Sequence, residues 1–315
     1  MKNKVTIIGA GAVGSTIAYT LITERIASEI VMIDINKDKA KGEAIDIAHA
    51  APFSGNATIY DGDYPDAVGS DIVVITSGVA RKPGQTRLDL AQINTNIMKS
   101  IAPQIAKYAP NAIYVIVSNP VDVMTYVFAK ASGIPSNHVI GSGTLLDTAR
   151  LRSKLSELYH VNPEQIEANV YGEHGDSSFV GWSHINISGL SLADFEANLD
   201  NAYFAKPEYT HEEIETWVRK SGGQIISLKG ATYNGIASSV AHLCDCIFRD
   251  SHSVITVGTL MKGQFGVDEV YTSLLAVVGK DGVIATVSPK FDEAEEIAFR
   301  KSSDTLKGVI AQLEV

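Results

Sequence analysis

The sequence lacks cysteine clusters, long apolar runs and an excess of positive charge, and each absence excludes a class of protein. Its two cysteines, Cys244 and Cys246, stand two apart on a predicted helix and face different directions, so neither a disulfide nor a shared metal is expected. No apolar run approaches the roughly 18 residues of a membrane span. With 26 lysines and arginines against 36 aspartates and glutamates, nonspecific binding to nucleic acids is not expected. The first strand begins almost at Met1, which leaves no room for a signal peptide, and we expect a cytoplasmic protein.

Repeats, low-complexity segments and linkers are also missing, and the two halves of the chain differ in pattern. Through residue 140, short apolar strands alternate with helices, which predicts a doubly wound parallel sheet with its ligand at the carboxyl ends of the strands. The second half is less regular. It predicts helices over 144–159, 208–229, 231–248 and 292–313, and strands over 166–171, 179–187, 254–257, 271–278 and 283–287. We therefore predict two tightly packed domains, residues 1–140 and residues 141–315.

A glycine-rich loop near the start of the chain carries the strongest motif. Gly9-Ala10-Gly11-Ala12-Val13-Gly14 lies between an apolar strand and a predicted helix. There Gly9 permits a tight turn, Gly11 lets backbone N–H groups approach a pyrophosphate, and Gly14 lets the helix pack on the strand. The next strand ends in Asp34, where a carboxylate binds the adenosine ribose and repels a 2′-phosphate. The pattern predicts a Rossmann domain that binds NAD rather than NADP; the alternative is a tight turn with no ligand.

The strongest catalytic candidate is His174, which stands in a glycine-flanked turn, residues 172–176. Histidine is the natural proton donor for carbonyl reduction near neutral pH. Asp147 and Arg150 are three apart on a predicted helix and share a face, so one could hold the imidazole while the other binds a substrate carboxylate. Such pairs are also common on solvated helices, and the spacing alone leaves both interpretations open.

Taken together, the motifs resemble those of the L-lactate/malate dehydrogenase family over essentially the whole chain. They occur in the family's order as GAGAVG, the loop from Arg81 to Arg87, SNPVDV, GTLLDTAR, GEHGD and KGAT. The residues in and around the last three motifs are closer to those of the lactate dehydrogenases. The resemblance implies an N-terminal Rossmann domain for NAD, a C-terminal α+β catalytic domain and hydride transfer between NADH and a small 2-oxo acid. It also implies a homotetramer.

The resemblance also implies a role for individual residues. His174 would donate and accept the proton, Asp147 would fix its tautomer, and Arg87 would polarise the reacting carbonyl. The remaining substrate contacts would come from Arg81, Asn119, Arg150 and Thr232. The NAD contacts would come from Gly9, Gly11, Val13, Gly14, Asp34, Lys39, Tyr64, Ser77, Gly78, Val79 and the turn from Val117 to Asn119.

One departure from the residue pattern of the lactate dehydrogenases concerns the substrate. Lactate dehydrogenases usually have glutamine where Arg81 stands, and malate dehydrogenases have arginine. An arginine closed against a methyl group would be an unpaired charge, whereas oxaloacetate offers a second carboxylate. Thr232 is typical of a lactate-type pocket and favours the other substrate. The sequence therefore favours oxaloacetate/(S)-malate, with pyruvate/(S)-lactate as the alternative; the third hypothesis is a non-catalytic NAD-binding protein that kept only the fold.

A second departure concerns regulation. Bacterial lactate dehydrogenases activated by fructose-1,6-bisphosphate carry an arginine and a histidine at a subunit interface. Arg152 matches the arginine, but Glu167 replaces the histidine, and a carboxylate repels a bisphosphate. We expect weak or absent activation by that effector.

Overall fold

The structure is a computed structural model that describes residues 3–79, 86–200 and 208–315, and the side chain of Arg87 is also outside the description. Its helices are α1 (Ala12–Thr23), α2 (Lys37–Ala48), α3 (Ala51–Ser54), α4 (Arg87–Tyr108), α5 (Val121–Ser132), α6 (Leu145–Tyr159), α7 (Leu192–Asn198), α8 (His211–Lys229), α9 (Asn234–Phe248) and α10 (Glu293–Ile310). Its strands are β1 (Lys4–Ile8), β2 (Glu29–Ile33), β3 (Thr58–Asp61), β4 (Ile72–Ile75), β5 (Ile113–Ile116), β6 (Val139–Gly141), β7 (Ile166–Glu167), β8 (Val170–Tyr171), β9 (Phe179–Val180), β10 (Asn186–Ile187), β11 (Leu190–Ser191), β12 (Ser253–Lys262), β13 (Asp268–Gly279) and β14 (Gly282–Val287).

The N-terminal half forms the predicted doubly wound sheet. Six strands are parallel in the order β3-β2-β1-β4-β5-β6, and the order reverses direction between β1 and β4. The strands β4 and β5 are β-branched or aromatic and buried throughout, as expected where helices cover both faces of a sheet. The point of reversal opens a crevice at the carboxyl ends of the strands, where such folds bind their ligands.

The second half extends the same sheet. Gly258 of β12 pairs in antiparallel fashion with Gly141 of β6, and β13 and β14 follow as antiparallel neighbours, so nine strands form one sheet. A Cβ on Gly258 would lie 3.2 Å from the Cα of Gly141, so the two backbones meet without side chains between them. The α/β fold class is thus the predicted one.

Several predicted elements have different limits. The strand predicted over 166–171 is two short strands, β7 and β8. The one predicted over 179–187 is β9 and β10, with the 3-10 turn Trp182–His184 between them. The helix predicted over 208–229 begins at His211, because Thr210 caps it in a reciprocal capping box with Glu213. The helix predicted over 231–248 begins at Asn234, since Gly230 ends α8 at a φ of +85°.

The core lies on both faces of the sheet. One cluster packs α4, α5 and α10 against it, and a second packs α1, α2 and α9 on the opposite face. Cys244 and Cys246 are free, buried thiols on α9. Within residues 3–79, 86–200 and 208–315, no helix is both long and apolar enough to cross a membrane.

Candidate active site

A cavity of about 280 Å³ lies at the carboxyl ends of the parallel strands and brings the two halves of the sequence together. We call it the catalytic cavity. From the first half it is lined by Val13 and Asn119, and from the second half by Asp147, Arg150, His174 and Thr232. These six residues, all predicted for catalysis, substrate or cofactor, therefore border one space.

The glycine-rich loop has the geometry that the motif predicts. Gly9 has a φ of +113°, and a Cβ on Gly14 would lie 1.9 Å from the carbonyl oxygen of Gly9, so α1 packs directly on the loop. A Cβ on Gly11 would meet no described atom within 4 Å. Gly9 and Gly14 are therefore required by the fold, whereas Gly11 borders open space. That space fits a pyrophosphate held at the N-terminus of α1.

Asp34 joins the end of β2 to the glycine-rich loop. Its Oδ2 accepts the backbone N–H of Ala10 at 2.7 Å, and its Oδ1 accepts that of Asn36 at 2.8 Å. The carboxylate is thereby fixed beside the loop, where a ribose diol would lie. Lys39 is exposed on α2 and Tyr64 is half-buried in the turn after β3, both at the same edge of the sheet.

A buried asparagine that sequence reasoning missed organises the next part of the cofactor edge. The side-chain oxygen of Asn94 accepts the N–H of Val79 at 2.9 Å, and its amide donates to the carbonyl of Asn119 at 2.7 Å. Gly78 adjoins this contact, since its Cβ would lie 3.2 Å from that oxygen. The signal was present in α4, because helical spacing puts Asn94 on the buried stripe with Ala91 and Met98.

His174 and Asp147 form a close pair. The imidazole Nδ1 lies 2.5 Å from Asp147 Oδ2, and the backbone N–H of His174 donates to Asp122 at 2.8 Å. The side chain of Asp147 is 6% exposed and that of His174 is 29% exposed, so the ring can reach a ligand while its partner cannot. Asp147 occupies Nδ1, which leaves Nε2 as the ring nitrogen that can donate to a ligand.

The charges in this pair favour a protonated ring. The charge of Asp147 raises the pKa of His174 to about 9, against the lowering effect of burial. Burial by itself raises the pKa of Asp147, but the charge and hydrogen bond of His174 and the bond from Arg150 hold that pKa below its usual range. At neutral pH the ring of His174 is therefore an imidazolium beside a carboxylate. Such an imidazolium can act as a general acid and protonate an oxygen.

Arg150 is bonded to the same carboxylate as His174 and also lines the cavity. Its Nη1 donates to Asp147 Oδ1 at 2.8 Å, so a single carboxylate holds both the imidazole and the guanidinium. The guanidinium carries several N–H donors, and those beyond the Asp147 bond can bind a carboxylate of a ligand. Thr232 also lines the cavity, in the segment between α8 and α9.

Of the other predicted residues, two fall outside the description and two lie away from this geometry. Arg81 is outside the described residues, and Arg87 begins α4 with a side chain that is also outside the description. Arg152 points to the other face of α6, where its Nε donates to the carbonyl of Ala168 at 3.0 Å. Glu167 is exposed at the end of β7 and accepts a hydrogen bond from Asn186.

We expect Gly11→Ala and Gly14→Ala to separate cofactor binding from folding. Gly11→Ala should fold with an unchanged melting temperature and bind NADH at least tenfold more weakly, because its methyl group enters the space left for the pyrophosphate. Gly14→Ala should lower the stability by about 1–3 kcal/mol or more through overpacking. Thermal melting and fluorescence titration with NADH measure both effects. Equal melting temperatures for the two variants would contradict the assignment.

The chain is similar in sequence to lactate and malate dehydrogenases. Residues 3–141 match the lactate/malate dehydrogenase NAD binding domain, and residues 144–314 match the alpha/beta C-terminal domain of the same family. It is 46% identical to an L-lactate dehydrogenase of Thermoanaerobacter pseudethanolicus, over 99% of this chain and 100% of that protein. It is 43% identical to that of Acetivibrio thermocellus, over 99% and 98% of the two chains.

Solved structures agree with the sequence matches. A lactate dehydrogenase from a Medee basin deep-sea metagenome library superposes with a TM-score of 0.93 at 38% identity, over 99% of this chain and 98% of that one. The minor L-lactate dehydrogenase from Enterococcus mundtii superposes with a TM-score of 0.93 at 32% identity, over 98% of each chain. The protein is an NAD-dependent oxidoreductase with a Rossmann cofactor domain. It belongs to the lactate/malate dehydrogenase family.

Proposed function

We propose that the protein interconverts pyruvate and (S)-lactate with NADH and NAD. The observation that carries the proposal is the group of His174, Asp147 and Arg150 at the wall of one cavity, in a chain 46% identical to an L-lactate dehydrogenase over its whole length. The sequence alone favoured oxaloacetate/(S)-malate, whereas the relatives support the lactate alternative. Thr232 in the cavity wall supports it as well.

The reduction assigns one task to each side chain. The glycine-rich loop and Asp34 would hold NADH, which would supply the hydride. Arg150 binds the carboxylate of the 2-oxo acid and fixes which way the carbonyl faces. His174 donates the proton from Nε2 to the carbonyl oxygen, and Asp147 keeps the resulting imidazole in the tautomer protonated at Nδ1. In lactate oxidation the same imidazole accepts the proton.

The arginine at position 81 favours a second candidate function, that of a malate dehydrogenase. A bidentate contact between Arg81 and the second carboxylate of oxaloacetate contributes about 1.5–3 kcal/mol. That amount corresponds to roughly ten- to a hundredfold discrimination between the two substrates. Arg81 lies outside the described residues, so its contact with the substrate is supported by the sequence alone.

Steady-state oxidation of NADH with pyruvate and with oxaloacetate tests the proposal. We expect the larger kcat/KM with pyruvate; a larger value with oxaloacetate would transfer the proposal to malate, and no turnover of either would overturn both. Arg81→Gln should then raise the ratio of pyruvate to oxaloacetate turnover by about tenfold or more, since it removes the partner of the second carboxylate. An unchanged ratio would mean that Arg81 does not contact the substrate.

We propose a homotetramer that acts in the cytoplasm and has little response to fructose-1,6-bisphosphate. The two free cysteines suit a reducing compartment. Arg152 donates to the carbonyl of Ala168, and the carboxylate of Glu167 acts on its charge from the position where the effector-activated enzymes have a histidine. Adding fructose-1,6-bisphosphate should leave the half-saturating pyruvate concentration within about twofold, because Glu167 repels the phosphates. A clear shift of the saturation curve to lower pyruvate would contradict this.

A further inference from the structure

Asp122 is a second acidic residue bonded to His174, and the mechanism above gives it no task. It is the second residue of α5, in the motif SNPVDV, and it is 2% exposed. Its Oδ2 accepts the backbone N–H of His174 at 2.8 Å. Its Oδ1 is buried and has no hydrogen-bond partner within the described residues. A carboxyl group at this position is therefore expected to have a role besides accepting one hydrogen bond.

Hydrogen bonding alone does not require a carboxylate here. An asparagine has nearly the same shape, and its side-chain oxygen would also accept the N–H of His174. What an asparagine lacks is the negative charge. A buried, half-satisfied carboxylate is costly unless a positive group lies near it. The positive groups at this point are the N-terminus of α5, which begins one residue earlier, and the ring of His174 when it is protonated.

Three ionisable groups face Asp122 from the packed elements. His174 and Glu173 belong to the turn after β8, and Asp147 belongs to α6. Burial raises the pKa of Asp122 to about 7, with the charges of Glu173 and Asp147 acting in the same direction and His174 acting against them. The pKa of His174 is raised by the negative charges of Asp147 and Asp122, and it is lowered by burial and by the positive charge of Arg150. Between about pH 7 and pH 9, a protonated His174 therefore has two carboxylates beside it.

We propose that Asp122 is a positioning residue for the reduction: its Oδ2 fixes the backbone of the catalytic turn, and its charge joins that of Asp147 in keeping His174 protonated. The backbone bond holds the peptide of His174 while Asp147 holds the ring, so the side chain is fixed from both ends. The kinetic consequence rests on the proposed function, because only the reduction needs the protonated ring. The electrostatic part does not depend on it.

The direct test is a titration of His174 by NMR in protein labelled with ¹⁵N-histidine. The resonance is assigned by its absence from His174→Asn. In Asp122→Asn, which retains an acceptor oxygen but no charge, we expect the pKa of His174 to fall by about one unit. Asp122→Ser, a smaller uncharged residue, should give a fall of similar size and serves if the asparagine variant does not fold. Neither measurement requires turnover, so an inactive wild-type protein would refute the proposed function and still leave this inference testable.

Kinetics give the second readout. A fall of one unit from a pKa of about 9 reduces the protonated fraction of His174 at pH 9 about fivefold. The KM for the 2-oxo acid in Asp122→Asn should therefore rise about fivefold at pH 9 and change little at pH 7, with kcat largely retained. A residue with only a structural role would raise KM or lower kcat equally at both pH values.

Glu295→Gln is the matched control. Glu295 is also a buried carboxylate, 6% exposed, but it bonds Ser183 and the start of α10 rather than His174. Its replacement should leave the pKa of His174 within about 0.2 unit. The proposal is overturned if Asp122→Asn leaves that pKa unchanged, or if Glu295→Gln lowers it by the same amount.

Discussion

Replacing His174 with asparagine should reduce kcat/KM for 2-oxo acid reduction by about 10³- to 10⁴-fold, which is the upper range for a general acid. The substituted side chain has no proton to donate at neutral pH, and the carbonyl oxygen loses its charged partner. NADH binding should stay within about twofold, because the glycine-rich loop and Asp34 are held by bonds that do not involve His174. Stopped-flow reduction and fluorescence titration measure the two quantities.

His184→Asn is the control for that variant. His184 belongs to the 3-10 turn ten residues later and bonds Ser183, outside the catalytic cavity. It should retain wild-type kinetics. A similar loss in both histidine variants, or a loss of less than about tenfold in His174→Asn, would contradict the assignment of the proton donor.

Asp147→Asn should lower kcat/KM by about 10²- to 10⁴-fold at pH 8. The reason is electrostatic, because Asp147 is the largest contributor to the raised pKa of His174. Without that charge, only Asp122 still opposes burial, and the pKa of His174 falls from about 9 toward its ordinary value of 6.5. Reduction needs the protonated form. The variant should therefore recover part of its activity as the pH is lowered from 8 to 6, whereas the wild type should vary little over that range.

The pH profile of kcat/KM measures this effect, and Glu157→Gln is the matched control. Glu157 lies on the same helix as Asp147, but it is exposed and pairs with Lys154. Surface pairs of this kind contribute about 0–1 kcal/mol, so the control should keep the wild-type profile. A profile for Asp147→Asn that is lowered equally at every pH would show that the carboxylate only orients the ring.

Much of the fold and site could be predicted because the signals are local. The glycine-rich loop is a contiguous stretch between a strand and a helix, and Asp34 follows the next strand directly. Helical spacing put Asp147 and Arg150 on one face. His174 stood out because glycines flank it, and the cavity places these residues together.

The contributions of Asn94 and Asp122 could not be predicted because their partners are distant backbone groups. Asn94 bonds residues 15 and 25 positions away, and Asp122 bonds a residue 52 positions away. A polar residue on an apolar helical stripe indicates burial, but the sequence does not show which peptide it reaches. The four-residue strand β3 lies at the edge of the sheet, where β2 is its one neighbour among the described strands. Local pattern shows which residues are buried, and the tertiary fold decides what they contact.

The pairing of Gly141 with Gly258 has a mechanical consequence. Enzymes that enclose a substrate by rotating two domains need a pliable connection between them, and here the connection is a backbone seam inside one nine-stranded sheet. The regions on either side cannot turn as separate bodies without breaking that seam. If the two halves were produced as separate chains, β6 and β12 would each become an unpaired edge strand, and such strands are prone to pair with other chains. The cofactor half and the catalytic half are therefore expected to behave as one stiff frame, and any movement around the substrate must come from segments outside the sheet.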